Sequence, residues 1–187
     1  MAAMQSYLVL LRGINVGGRN KIAMGKLKAL LEELGFAGVA PYLQSGNVIV
    51  QSDLAAASIA PRIEQAITAA FKLDSDLIKV LVLSRAQLRA VFAERPKGFG
   101  DAPDTYHSDA IFLMGMGIEE AMTAFSPKAG VDTIWPGNGV IYSQRLSALR
   151  TKTRLNRMMV SPLYLSMTIR SWGTVGKLLE MMGDGAA

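Results

Sequence analysis

The feature that most restricts what this chain can fold into is one order of apolar patterns that occurs twice. In the first half, a buried strand expected at residues 6–11, with the apolar run Tyr7 to Leu11, precedes Met24, Leu27, Leu30, Leu31 and Leu34 at helical spacing, closed by Gly35. Short strands are expected from Val39 to Leu43 and from Val48 to Gln51, joined by the turn residues Ser45-Gly46-Asn47. A second helix places Ile59, Ile63, Ala66, Ile67 and Ala70 on one face, and a strand follows from Leu77 to Leu83. The order is β-α-β-β-α-β.

The same order returns after a stretch broken by Pro96, Gly98, Gly100 and Pro103. Strands are expected at Ala110 to Met114, Val131 to Trp135, Val140 to Ser143 and Leu163 to Ile169. Helices are expected at Ile118 to Phe125, Leu146 to Met159 and Ser171 to Met182. No residue-level repeat links the halves. The simplest fold is α+β: two tandem ferredoxin-like (βαββαβ) plaits with antiparallel sheets, a connecting helix and an extra C-terminal helix. The expected domains are 1–84 and 109–187, with 85–108 as connecting helix and linker.

Half of the 187 residues are hydrophobic and 19% are charged, which predicts a packed core. No apolar stretch approaches the roughly 20 residues of a membrane helix. Gln5 and Ser6 precede the first apolar run, so no secretory peptide is expected. The absence of cysteine removes disulfides, thiolate metal sites and cysteine nucleophiles, and fits a cytoplasmic protein. No cofactor and no membrane partner are expected.

The charge is uneven. Between Thr133 and Leu179 there is no acid, yet Arg145, Arg150, Lys152, Arg154, Arg157, Arg170 and Lys177 all lie there. The chain carries +5 overall, so the remainder sums to −2. Such asymmetry points to an anionic small molecule or a nucleic acid as partner, or to a solvated basic face.

The stretch "RGINVGGRN", residues 12–20, tests the nucleotide-binding reading. It has the glycine spacing of a Walker A loop, but Arg19 and Asn20 stand where a lysine and a hydroxyl are required. A phosphate-hydrolysing enzyme is therefore not expected. In a plait, however, the loop after the first strand and the hairpin after the second emerge at the same end of the sheet. That gathers Arg12, Asn15, Gly17, Gly18 and Arg19 with Gln44, Ser45 and Asn47. Guanidinium, amide and hydroxyl groups in that mix suit an anionic or polar ligand. The same asparagines could equally brace two loops through backbone hydrogen bonds, with glycines taking positive φ.

Three segments, "LLRGINVGGRNKIAMGKLKALLEELGF", "YLQSGNVIVQS" and "TIRSWGTVGKLLEM", resemble the domain-of-unknown-function 1697 family. The resemblance implies two α-β plaits in tandem and brings no established activity. The family's ending reads Thr-x-Arg-Asn-Trp-Asn-Thr-Val; Thr168, Arg170, Trp172 and Thr174 match it, whereas Ser171 and Gly173 replace its asparagines.

Other chemistry is sparse. His107 with Asp101, Asp104 and Asp109 could hold a divalent cation, against the simpler reading of an exposed acidic loop. Glu32-Glu33 and Glu119-Glu120 read as solvent faces of helices, and Met158-Met159 and Met181-Met182 as core filler. Trp135, Tyr142 and Trp172 near arginines invite comparison with RNA-stacking sheets, but the aromatic-rich strand of that module is absent. The expected function is binding of an anionic ligand, with Arg170 and Trp172 added to the first-half residues. The alternative is a metal-independent enzyme acting on a polar or anionic substrate in a cleft between the domains.

Overall fold

The computed structural model describes residues 3–75 and 78–183. It is a mixed α+β chain with two four-stranded antiparallel sheets. The chain divides into two compact units, Met1–Arg89 with Leu178–Ala187, and Ala90–Lys177.

In the first unit, β1 (Gln5–Arg12), α1 (Met24–Glu33), β2 (Ala37–Tyr42), β3 (Asn47–Ser52), α2 (Ala56–Ala70) and β4 (Lys79–Ser84) follow in order. The sheet order is β2-β3-β1-β4. Both β1 and β2 pair antiparallel with β3, so they run parallel to one another with β3 between them. The odd positions of β1, Tyr7, Val9 and Leu11, share one core with Leu27 and Leu31 of α1 and Ile59, Ile63 and Ile67 of α2. Every one of those helical residues was legible from 3.6-residue periodicity.

Local chemistry sets the element ends. After α1, Gly35 takes φ +90°; its N–H donates to the Glu32 carbonyl and that of Phe36 to the Leu31 carbonyl. This pair of bonds is a Schellman ending, and glycine supplies its left-handed residue. In β2, the register shifts between Ala37 and Ala40 around Gly38, a bulge that inserts one extra residue. Leu43, expected to end this strand, instead turns at φ +58° and is exposed. Leu77 of the expected fourth strand lies outside the described residues.

The second unit contains α3 (Arg85–Ala93) from Ala90 onward, β5 (Tyr106–Leu113), α4 (Ile118–Met122), β6 (Asp132–Pro136), β7 (Val140–Leu146), β8 (Met167–Ser171) and most of α5 (Trp172–Met181). Its sheet order is β6-β7-β5-β8, matching the first unit position for position.

Two expectations fail here. The helix expected from Leu146 to Met159 is two 3-10 segments, Ser147–Lys152 and Leu155–Val160, and Leu149 inside the first is non-helical (φ −111°, ψ 23°). The cause is tertiary. Asp132 on β6 accepts hydrogen bonds from the Thr153 hydroxyl (2.5 Å) and the Arg154 amide (2.8 Å), pinning the chain between the segments. The strand expected from Leu163 starts only at Met167. Ser161 accepts from the Leu163 amide and Pro162 occupies the first turn, so Pro162–Ser166 winds as a 3-10 helix.

Candidate functional site

The loop after β1 is a small hairpin. The Arg19 amide donates to the Val16 carbonyl (3.0 Å) and the Asn15 amide to the Asn20 carbonyl (3.1 Å), with Gly17 (φ +58°) and Gly18 (φ +76°) at the tip. A two-residue turn with both φ values positive suits glycine, and its twist matches that of the flanking strands.

The asparagines hold this hairpin in place. Asn15 Nδ2 donates to the Ile22 (3.0 Å) and Gln44 (2.9 Å) carbonyls, while its Oδ1 accepts from the Ile22 amide (2.8 Å). Asn20 is 3% exposed. Its Nδ2 donates to the Gly13 carbonyl (2.7 Å), and its Oδ1 accepts from the amides of Asp74 (2.7 Å) and Ser75 (3.2 Å). The Asn20 amide in turn donates to the Asp74 carboxylate (2.6 Å). Asn47 Nδ2 donates to the Tyr42 carbonyl and to Ser45 Oγ. Asn15 and Asn20 act as braces between loops, whereas Asn47 ties its own turn.

The braces join the hairpin to the turn after β2, where Gly46 accepts from the Leu11 amide (2.8 Å). A Cβ at Gly46 would sit 3.0 Å from Leu11 and Ile14, so the close approach needs glycine. By contrast, Gly17 has nothing within 4 Å of a Cβ position. Arg19, Gly17, Gly18, Gln44 and Ser45 are exposed, and Arg12 faces Lys79 across the β1–β4 pair. Arg12, Asn15, Arg19, Gln44, Ser45 and Asn47 thus cluster at one end of the first sheet.

Arg170 and Trp172 lie in the second unit. Arg170 is 7% exposed and donates to Thr168 Oγ1 (2.9 Å) and the Ile169 carbonyl (2.8 Å). Burial lowers its pKa to about 10, partly offset by Tyr164. Trp172 stacks on Phe92 (4.9 Å between centroids) and meets Phe99 and Tyr142 edge-on. Trp135 also meets Phe99 edge-on. These rings form an aromatic core cluster. Gly100 closes on it so tightly that a Cβ would lie 2.2 Å from the indole. Tyr142 donates to the Val91 carbonyl (2.6 Å), and burial pushes its phenol up to about 12.

At the two positions that depart from the family's ending, Ser171 caps α5 by accepting from the Thr174 amide (3.3 Å). Serine and asparagine are near-equal caps, so the exchange keeps this function. A side chain at Gly173 would meet open space.

Sequence reasoning missed one cluster. His107 and Asp109 are on a strand, not in an acidic loop, and their i,i+2 spacing puts both on one face. His107 Nε2 lies 3.1 Å from the Asp109 carboxylate, and Arg145 Nη1 lies 3.7 Å away. Burial raises the Asp109 pKa against the opposing pull of His107 and Arg145. Asp101 is exposed and pairs with Arg95, and among the described residues no three acids or histidines gather as a metal site. Asp132 behaves oppositely to Asp109. Burial pushes its pKa up, but bonds from Thr153, Arg154 and Lys128 outweigh that and leave it lowered. Arg150, Lys152, Arg154 and Arg157 are all exposed along the 3-10 segments. No helix among the described residues is long and apolar enough to cross a membrane.

The chain is similar in structure to the conserved bacterial protein SP0830 from Streptococcus pneumoniae, with 25% identity and a TM-score of 0.77. That likeness covers 96% of this chain and 99% of the other. No curated protein matches the chain. The family described as "protein of unknown function (DUF1697)" matches residues 4–142, which include the braced hairpin, the "QSGN" turn and the sheet of the first unit. On that match, the chain belongs to the DUF1697 family.

Proposed function

We propose that this protein binds a phosphate-bearing ligand, a phosphorylated small molecule or a nucleic acid, at the hairpin end of the first sheet. One observation carries the reading: the hairpin is held by the side-chain bonds of Asn15 and Asn20 while its glycine tip and Arg19 stay exposed. A loop already fixed in place loses little conformational entropy when it takes up a ligand. Arg19 and Lys21 have no carboxylate partner among the described residues. Glycines with open space around them let phosphate oxygens approach the backbone closely. On the same reading each half is a ferredoxin-like plait, supported by the shared strand order and, in the first half, by two helices on one sheet face.

The test is titration of the full chain with pyrophosphate, adenosine triphosphate and a single-stranded oligonucleotide, at low and moderate salt. Binding is expected to weaken with salt by roughly one log-log unit per phosphate contacted. Arg12→Ala and Arg19→Ala should each weaken it about tenfold, the loss of one charge-assisted contact. Tighter oligonucleotide binding with a steep salt slope would select nucleic acid; equal binding of pyrophosphate would select a small phosphorylated ligand. Absence of binding by all three, or unchanged binding in both variants, refutes the reading.

A further inference from the structure

A second site lies wholly within the second unit, independent of the hairpin. Asp109 and Ile111 of β5 and Ser143 and Arg145 of β7 share one sheet face, with Ile169 of β8 beside them. The 3-10 segment Leu155–Val160 passes over this face and encloses a partly open cavity of about 170 Å³. Ile111, Ile169, Leu155 and Met158 make the apolar wall, and Ser143, Arg145, Asn156 and Asp109 the polar one. An apolar cavity of roughly 150 Å³ takes up benzene, so this volume suits a body of about that size.

Two polar groups in the wall make no side-chain hydrogen bond among the described residues, although Arg145 forms an ion pair with Asp109. Ser143 is 3% exposed, and its hydroxyl makes no hydrogen bond among the described residues. That hydroxyl is not fully enclosed, so it keeps an accessible side toward the partly open cavity and offers a donor and an acceptor there. Arg145 lies 3.7 Å from Asp109, beyond hydrogen-bond range, and its guanidinium makes no hydrogen bond among the described residues. Both carboxylates near it are engaged elsewhere: Asp109 by His107, and Asp132 by Thr153 and the amides of Lys128 and Arg154. Donors therefore outnumber open acceptors, and the exposed cations of the 3-10 segments add positive potential.

We infer that this cavity binds a small monocarboxylate with a compact hydrocarbon body. The carboxylate takes the Arg145 fork and the Ser143 hydroxyl; the hydrocarbon packs against Ile111, Ile169, Leu155 and Met158. A planar guanidinium matches a carboxylate in two parallel bonds, which an ammonium cannot do.

The test uses benzoate, benzyl alcohol and benzylamine as probes of equal shape, titrated into the full-length protein and followed by backbone amide shifts. Benzoate is expected to bind with Kd of about 1 mM, with shifts at residues 109–111, 143–145 and 155–159. The other two should bind at least about tenfold more weakly. Arg145→Met should abolish benzoate binding, and Arg145→Lys, which keeps the charge and loses the fork, should weaken it about tenfold. Ser143→Ala should weaken it several-fold and leave the spectrum otherwise folded. Benzylamine binding as tightly as benzoate, no shift from any probe at about 50 mM, or unchanged affinity in Arg145→Lys and Ser143→Ala overturns the inference.

Discussion

Replacing Asn20 with alanine deletes a side chain that ties the hairpin after β1 to the loop's own base at Gly13 and to the distant backbone of Asp74 and Ser75. Its bonds to the Gly13 carbonyl and the Asp74 amide are both 2.7 Å long, and the Ser75 amide adds a weaker one at 3.2 Å. Each of the two short bonds contributes about 1 kcal/mol net, so their loss costs about 2 kcal/mol. The residue also sits at φ +47°, where asparagine is tolerated and alanine costs about 1 kcal/mol more. The expected total is about 3 kcal/mol, or about 6–12 °C in Tm for a chain of this length. Asn20→Gly separates the two effects: glycine accepts the backbone angle, so it should cost only about 2 kcal/mol. The assay is urea unfolding followed by far-ultraviolet circular dichroism, with amide exchange at Asp74 and Ser75 as the local readout. Those two amides should exchange roughly a hundredfold faster in Asn20→Ala. If alanine and glycine variants are equally stable, the backbone-angle argument fails. If both lie within about 0.5 kcal/mol of wild type, the brace itself is wrong.

Two further outcomes follow from the aromatic cluster. Gly100→Ala drives a methyl into the Trp172 indole at a residue held at φ +77°, and should destabilise the second unit by about 3 kcal/mol in calorimetry. A loss under about 1 kcal/mol would mean that the indole can move aside. The Tyr142 phenol titrates at about 12, above the roughly 10 of an unfolded tyrosine. Its contribution to stability is thus full below pH of about 10 and lost as pH rises through about 12. Ultraviolet titration of the folded protein checks the value, and Tyr142→Phe should flatten that part of the stability profile.

What the sequence disclosed depended on how local each cause was. The strand and helix order of the first unit follows from periodicities within ten or fifteen residues, such as Leu27 and Leu31 facing Tyr7, Val9 and Leu11. The meeting of the hairpin with the "QSGN" turn followed from strand order. Whether Asn15 and Asn20 were ligands or braces did not, because Asn15 bonds Gln44 and Asn20 bonds Asp74, 29 and 54 residues away. The false helix after β7 arose the same way. Leu146 to Met159 reads as one continuous helix, but Asp132 on a different strand holds Thr153 and Arg154. His107 reads as part of a linker because Pro96, Gly98, Gly100 and Pro103 precede it. Reading His107, Asp109 and Ile111 as alternate positions of a strand would have placed them on one face.

Both tryptophans of the chain, Trp135 and Trp172, belong to the second unit, where they flank Phe99. The described residues of the first unit carry no tryptophan, and their tyrosines are Tyr7 and Tyr42. Intrinsic fluorescence is therefore divided between the units by composition. Excitation at wavelengths that only indole absorbs reports the second unit alone, whereas far-ultraviolet dichroism sums both. Comparing the two signals across one denaturant titration tells whether the units melt together or in sequence, with no label introduced.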